Sequence, residues 1–201
     1  QKEVDTYLTY FTYADQISRA EEAEKIDETY VVFIPKEDWE KPFVLEAKEK
    51  ELKNFENYGA YKTVKDVGQP RMSCQWIITE KMYGDVKGAK ARVVVNGNQE
   101  KADLQADSPT VSKQSLRLLF SISAQMGWEV VMADVTSAFL QSDIIDRELY
   151  VQPPKDAVAP GCIWLLQKPM YGLTDASLKW YKTLADRLVK LGCKRLTVDP
   201  A

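Results

Sequence analysis

Asp134 closes the stretch EVVMAD and opens VTSAFLQS. A run of strand formers, Val130 to Ala133, delivers this single carboxylate, and the chain then turns into a helical pattern. Two roles fit an acid at such a junction. Asp is among the best residues for capping a helix N-terminus. At the end of a buried strand it is also well placed as a metal ligand, because a rigid strand fixes the oxygens and a bound cation offsets desolvation of the charge. Phe139, on the first turn that follows, is either a core aromatic or one wall of a pocket for a flat, hydroxylated ligand.

Lys90 and Arg92 stand two apart in KGAKARVVV and therefore share one face of a strand. A solvated edge strand has this pattern. A hairpin folded over Asp134 would turn the same pair into a clamp for triphosphate oxygens, with the guanidinium giving bidentate contact. An acid with its cation, an overhanging basic hairpin and an aromatic wall together suggest phosphoryl transfer, where catalysis is largely positioning and charge neutralisation. Histidine is absent from the sequence. That removes Ser-His-Asp hydrolysis, Cys-His proteolysis and histidine-ligated metals, and leaves carboxylate, lysine and tyrosine chemistry with oxygen-held hard cations.

The elements that must position these residues follow from periodicity. Leu45, Leu52 and Phe55 form a helical stripe, supported by the acid-first pairs Glu46 to Lys50 and Glu49 to Lys53. AYKTV, CQWIIT and ARVVV read as strands, the last two joined by the basic loop EKMYGDVKGAK. SKQSLRLLFSISAQMG runs from a Ser112 cap to Gly127 with apolar residues on nearly every face, so a buried helix is expected. The Asp134 strand comes next, then short strands at ELYVQPP and CIWLLQKP, and a last helix from near Asp175 to Gly192. Strands interleaved with packing helices predict an α+β or α/β layered core.

Composition bounds the reading. The 201 residues, 45% of them hydrophobic, suffice for one or two cores. A net charge of -3 leaves any polyanion to a local basic surface. Cys74, Cys162 and Cys193 are odd in number and form no CxxC pair, which points to a reducing compartment and away from structural zinc. No apolar run reaches the ~20 residues of a membrane span, so a soluble intracellular protein without membrane partners is expected. Residues 1–43 read as an acidic lead-in, and RLTVDPA at the C-terminus as a truncation.

Five segments, in order, are EAKEKELKNFENYGAYKTVKDVGQPRMSCQWIITEK, KGAKARVVV, DSPTVSKQSLRLL, ADVTSAFLQSDIIDRELYVQPP and IWLLQKPMYGLTDASLKWY. From about residue 44 onward they closely resemble the reverse transcriptase domain of copia-type retrotransposon Pol polyproteins. The resemblance implies an α+β right-hand polymerase fold, with fingers over about 45–110 and an incomplete palm over about 111–201. It makes Asp134 the first catalytic aspartate, sharing two Mg²⁺ ions with the backbone carbonyl of Val135. In such sites the ions lie roughly 3.5–4 Å apart and serve the attacking and leaving oxygens.

By the same resemblance Phe139 crowds a ribose 2′-hydroxyl, and Lys90 and Arg92 contact the incoming triphosphate. Tyr171, Gly172 and Leu173 match the triplet that lines the nucleotide and template pocket; read alone they are an ordinary turn. Implied partners are an RNA or DNA template-primer, a dNTP and the rest of the Pol polyprotein. The implied location is cytoplasmic, in a virus-like particle, with the nucleus as a second compartment. The sequence departs from the family at Gln75, Asn96, Asn98 and Ser142, where arginine, a basic residue, an aromatic and glycine are usual. It contains no Asp-Asp pair, so a chain limited to these residues is expected not to polymerise. The alternative is a non-catalytic remnant or co-opted module that binds nucleic acid or protein.

Overall fold

The computed structural model describes residues 32–83, 86–100, 104–195 and 199; most of the 1–43 lead-in lies outside them. In chain order the principal elements are α1 (Pro42–Asn57), β1 (Tyr61–Lys65), β2 (Met72–Tyr83), β3 (Val86–Val95), α2 (Lys113–Met126), β4 (Tyr150–Gln152), β5 (Cys162–Leu166) and α3 (Ala176–Lys190). The five strands form one sheet in the order β1-β5-β4-β2-β3. Every pairing is antiparallel except the short parallel match of β4 to β2, Met72↔Val151 and Ser73↔Gln152. The fold is thus mixed α and β around a single sheet.

Alternation along β2 and β3 creates the core. Trp76 and Ile78 face Val93 and Ala91 across the ladder, and all four are buried. α1 begins with Pro42 at its first position, where a missing N–H costs nothing, and packs on β3. The buried residues of α1 are Val44, Lys48 and Phe55, while Leu45 is exposed, so the helix is rotated relative to the expected Leu45 stripe. Lys48 is enclosed because its ammonium has partners: Asp156 Oδ2 at 2.8 Å, and the Trp39 ring 5.1 Å away. Trp76 Nε1 donates to the other oxygen of Asp156, also at 2.8 Å. Ahead of α1, the Ile34 N–H donates to the Ile78 carbonyl at 2.9 Å, and Phe33 bridges Thr79.

Three local expectations are corrected. The basic loop EKMYGDVKGAK is mostly ladder, since the β2–β3 register continues from Cys74↔Val95 to Tyr83↔Val86. The strand expected at Val130 to Ala133 is irregular chain without a ladder. A strand needs a partner for its N–H and C=O groups, and no described strand lies beside this segment. Val131 and Met132 are 79% and 92% exposed. α2 has the expected ends, with Ser112 Oγ accepting from the Ser115 N–H at 3.1 Å and Gly127 at φ 64°. It is not buried: Ser123 is its one buried residue, and Leu118, Leu119, Phe120 and Met126 face solvent.

Candidate nucleotide site

Lys90 and Arg92 stand opposite Thr79 and Ile77 on the face of the hairpin away from Ala91 and Val93. Lys90 is exposed and Arg92 half-buried. Partial burial and then the like charges of Arg92 and Lys81 pull the Lys90 ammonium below its ordinary range, while Glu51 and Asp134 pull it back. Two cations that oppose each other's charge on one strand are electrostatically ready for an anion.

The Arg92 guanidinium lies over the Tyr171 ring, 5.6 Å from its centroid. Tyr171 in turn meets Phe139 edge-on, with centroids 5.1 Å apart and planes at 65°. Three of the residues singled out in the sequence, far apart in the chain, therefore form one continuous row. Backbone contacts fix the row. The Val95 N–H donates to the Tyr171 carbonyl at 2.8 Å, which welds the end of β3 to the turn before α3. Gly172 sits at φ 91°, and a Cβ there would lie 2.0 Å from the Val95 carbonyl oxygen. Gly97 has the reciprocal constraint, its Cβ position being 2.2 Å from the Gly172 oxygen. Only glycine allows this approach of two backbones. Leu173 is buried beneath the turn.

Phe139 lies on a single 3-10 turn, Ala138–Gln141, entered through Ser137 at φ 54° and ψ 39°. Ser137 is the one non-glycine residue at positive φ among the described residues, a conformation that costs of order 1–3 kcal/mol. Asn54 of α1 donates from Nδ2 to Ser137 Oγ at 2.7 Å, and Leu140 is buried, so the turn is held from both sides. Asp134 and Val135 precede this turn and are exposed.

Asp134 reaches Lys90 electrostatically, as the pull on that ammonium shows. Among the described residues no three His, Cys, Asp or Glu side chains gather to hold a metal. One carboxylate and one carbonyl do not supply the octahedral oxygen set of Mg²⁺. The described residues therefore do not fit the metal pair by themselves.

Sequence reasoning missed Glu51. It stands on the α1 face against β3, with Oε1 enclosed and lacking a hydrogen-bond partner. Burial pushes its carboxyl up to about 7, against the opposing pull of Arg92, a backbone hydrogen bond at Val93 and Lys90. Sequence reasoning also missed an ion cluster. Arg147 donates to Glu100 at 2.7 and 3.0 Å and to Asp175 at 2.7 and 3.0 Å, and both acids are almost fully enclosed. The cluster ties the segment after β3, the segment before β4 and the start of α3 together; Asp175 makes no side-chain cap bond. Alternation within EKELKNF marks Glu51 only as a helix-surface acid, and nothing local pairs Glu100 with Arg147.

Residues 58–200 match the family model described as reverse transcriptase (RNA-dependent DNA polymerase). The chain is 33% identical over 151 residues to the retrovirus-related Pol polyprotein from transposon TNT 1-94 of Nicotiana tabacum, covering 71% of this chain and 11% of that protein. It is 31% identical over 128 residues to the corresponding polyprotein from transposon RE1 of Arabidopsis thaliana, covering 60% of this chain and 9% of that protein. The transposon Ty1-BL Gag-Pol polyprotein of Saccharomyces cerevisiae is 31% identical over 104 residues, or 50% of this chain and 6% of that one. The chain thus spans about a tenth or less of these relatives. No solved structure matches. The chain belongs to the reverse transcriptase (RNA-dependent DNA polymerase) family and corresponds to part of that domain in copia-type retrotransposon Pol polyproteins.

Proposed function

We propose that this chain forms the nucleotide-binding part of an RNA-directed DNA polymerase, with fingers over about 45–110 and the first part of a right-hand palm over about 111–201. The observation that carries the proposal is the row Arg92, Tyr171, Phe139, flanked by Lys90 with Asp134 in electrostatic reach. In this reading Lys90 and Arg92 take the triphosphate oxygens. Tyr171, Gly172 and Leu173 form the floor beneath base and template, and Phe139 stands against the sugar. Bidentate guanidinium contact and an aromatic platform are the chemistry that a nucleotide rewards.

Asp134 and the Val135 carbonyl are proposed as part of a divalent-metal site. Further carboxylates would have to complete it, because this pair alone does not satisfy Mg²⁺. Template-primer, dNTP and the remainder of a Pol polyprotein are the proposed partners. A virus-like particle in the cytoplasm is the proposed setting, with the nucleus as the second. No helix of the described residues is long and apolar enough to cross a membrane.

Two experiments test this. In the full chain, Arg92→Ala and Lys90→Ala should each weaken binding of a deoxynucleoside triphosphate by roughly tenfold or more, the worth of a charged hydrogen bond. Undiminished binding in both overturns the assignment. In a Pol polyprotein that carries further carboxylates, Asp134→Ala should abolish primer extension, and retained extension would remove Asp134 from the site. The second reading is a module that binds nucleic acid or protein without catalysis, favoured by the asparagines Asn96 and Asn98 where the family usually has a basic residue and an aromatic.

A further inference from the structure

We propose that Arg147 is a positioning residue for the nucleotide site: by gripping Glu100 and Asp175 together it holds the turn that carries Tyr171 against the end of β3, and so keeps Tyr171 beneath the Arg92 guanidinium. This rests on the nucleotide reading above. The row of Arg92, Tyr171 and Phe139 depends on two segments meeting, the end of β3 and the turn before α3. Between them the Val95 N–H donates to the Tyr171 carbonyl at 2.8 Å, and the Thr174 hydroxyl donates to the Gly97 carbonyl at 3.5 Å, the outer limit for such a bond. At Gly97 and Gly172 the two backbones approach as closely as glycine allows, which permits the contact without supplying attraction.

Arg147 supplies that attraction from a third segment. Its Nε and Nη2 donate to the two oxygens of Glu100 at 2.7 and 3.0 Å, and its Nη1 and Nη2 to the two oxygens of Asp175 at 2.7 and 3.0 Å. Glu100 follows Val95 by five residues and Asp175 follows Tyr171 by four. A guanidinium is a planar fork, so two carboxylates held bidentately on it have their separation and angle fixed. Their side chains are 7% and 9% exposed, which leaves little water to replace the guanidinium.

The mount of Arg147 is itself firm. On one side of it the Ile145 N–H donates to the Gln167 carbonyl, and on the other the Leu149 carbonyl accepts from the Leu166 N–H, both at 2.9 Å. The neighbouring Asp146, 3.9 Å from Nη1 and 77% exposed, is taken by Lys179 at 2.9 Å. Asp175 stands at the N-cap of α3 and makes no cap bond, its carboxylate being given to Arg147 instead. An acid that served the helix alone would cap it.

The consequence is pre-organisation. With Tyr171 beneath it, Arg92 is ordered before a nucleotide arrives, and binding need not immobilise a long side chain. A slack turn removes the platform, and the ordering then falls on affinity. Arg147 acts through the backbone of the two segments it joins.

The test measures binding of dATP, without metal, by the full chain as wild type, Asp175→Asn and Arg147→Lys, each with and without Arg92→Ala. Asp175→Asn keeps an acceptor and a capping residue and leaves Arg147 one carboxylate to balance, so it keeps the test open if Arg147→Lys fails to fold. Each variant should weaken binding about three- to tenfold, the cost of ordering one long side chain, and should have no effect once Arg92 is alanine. In the free chain, the Arg92 Nε–H resonance of Asp175→Asn should move toward its position in Tyr171→Leu. A purely structural role would lower affinity alike in both backgrounds. That result, undiminished affinity, or an unmoved Arg92 resonance overturns the proposal while leaving the nucleotide site intact. If wild type does not bind dATP, or Arg92→Ala binds it as well as wild type, the nucleotide reading fails and the role of Arg147 falls with it.

Discussion

The Arg92 guanidinium carbon lies 5.6 Å above the Tyr171 ring centroid, joining β3 to the turn that precedes α3. Stacking does more than tie two elements. It sets the guanidinium over a ring that also meets Phe139 edge-on, so the three side chains are positioned together. Arg92→Met with Tyr171→Leu, in a double-mutant cycle read by denaturant unfolding, is expected to give a coupling of about 0.5–1 kcal/mol, the range for a partly exposed cation–π pair. Arg92→Lys should lose part of it, because an ammonium lacks the planar face. Additive single changes would mean the contact contributes nothing to the fold.

Gly172→Ala should destabilise the chain by more than about 3 kcal/mol, since the substitution combines left-handed strain with a collision. The new methyl would lie 2.0 Å from the Val95 carbonyl oxygen and 2.7 Å from Val94 Cγ1, and the first of these is backbone that cannot rotate away. Gly97→Ala meets the Gly172 carbonyl and should behave alike. Thermal unfolding of either variant checks this. A midpoint within a few degrees of wild type would show that the two segments do not approach so closely.

These glycines also show what sequence could reveal. YGL reads as a turn on its own residues and as a pocket segment by family resemblance; the structure gives the physical link, a turn whose backbone abuts β3. Period-two alternation located β2 and β3, because one face of each is buried, and capping residues located both ends of α2. The Asp134 segment carries the same apolar signal as a buried strand yet has no ladder, because propensity describes a segment and pairing requires a neighbour. Glu51, Asn54 and the Arg147 cluster were illegible for a related reason. Their roles come from partners 83 residues away for Asn54, and 47 and 28 away for Arg147.

Ser142 offers a simple stability test. It is fully buried, its hydroxyl has no partner, and its backbone carbonyl accepts from Lys168 Nζ at 2.6 Å. The family's usual glycine at this position would bury no hydroxyl. Ser142→Ala keeps the carbonyl bond, removes the unsatisfied group and suits φ -65°, so it should stabilise by about 1–2 kcal/mol. Chemical denaturation decides, and a loss of stability would mean that the hydroxyl has a bound water or another acceptor.

The apolar surface of α2 and its successor is expected to govern solution behaviour. Leu118, Phe120, Met126, Val131 and Met132 are all more than half exposed, well beyond scattered surface apolar residues. Leu118→Lys with Met132→Glu should reduce concentration-dependent association in light scattering and change unfolding free energy by less than about 0.5 kcal/mol, as for surface positions generally. A large loss of stability would place these side chains in a core.

Glu51 should leave a mark on stability. Its folded-state carboxyl sits at about 7 because burial outweighs the pull of Arg92, the Val93 hydrogen bond and Lys90, whereas an unfolded chain titrates near 4.5. Between those values the unfolded chain has released its proton and the folded one has kept it. Stability contributed by this group is therefore full below pH 4.5, declines as pH rises to about 7 and is level above. With allowance for screening, the decline amounts to about 2 kcal/mol. Glu51→Gln, which cannot ionise, should flatten that part of the curve and exceed wild type in stability at pH 8. Parallel curves for the two proteins across pH 4.5 to 8 would show that Glu51 titrates in the folded chain as it does in the unfolded one.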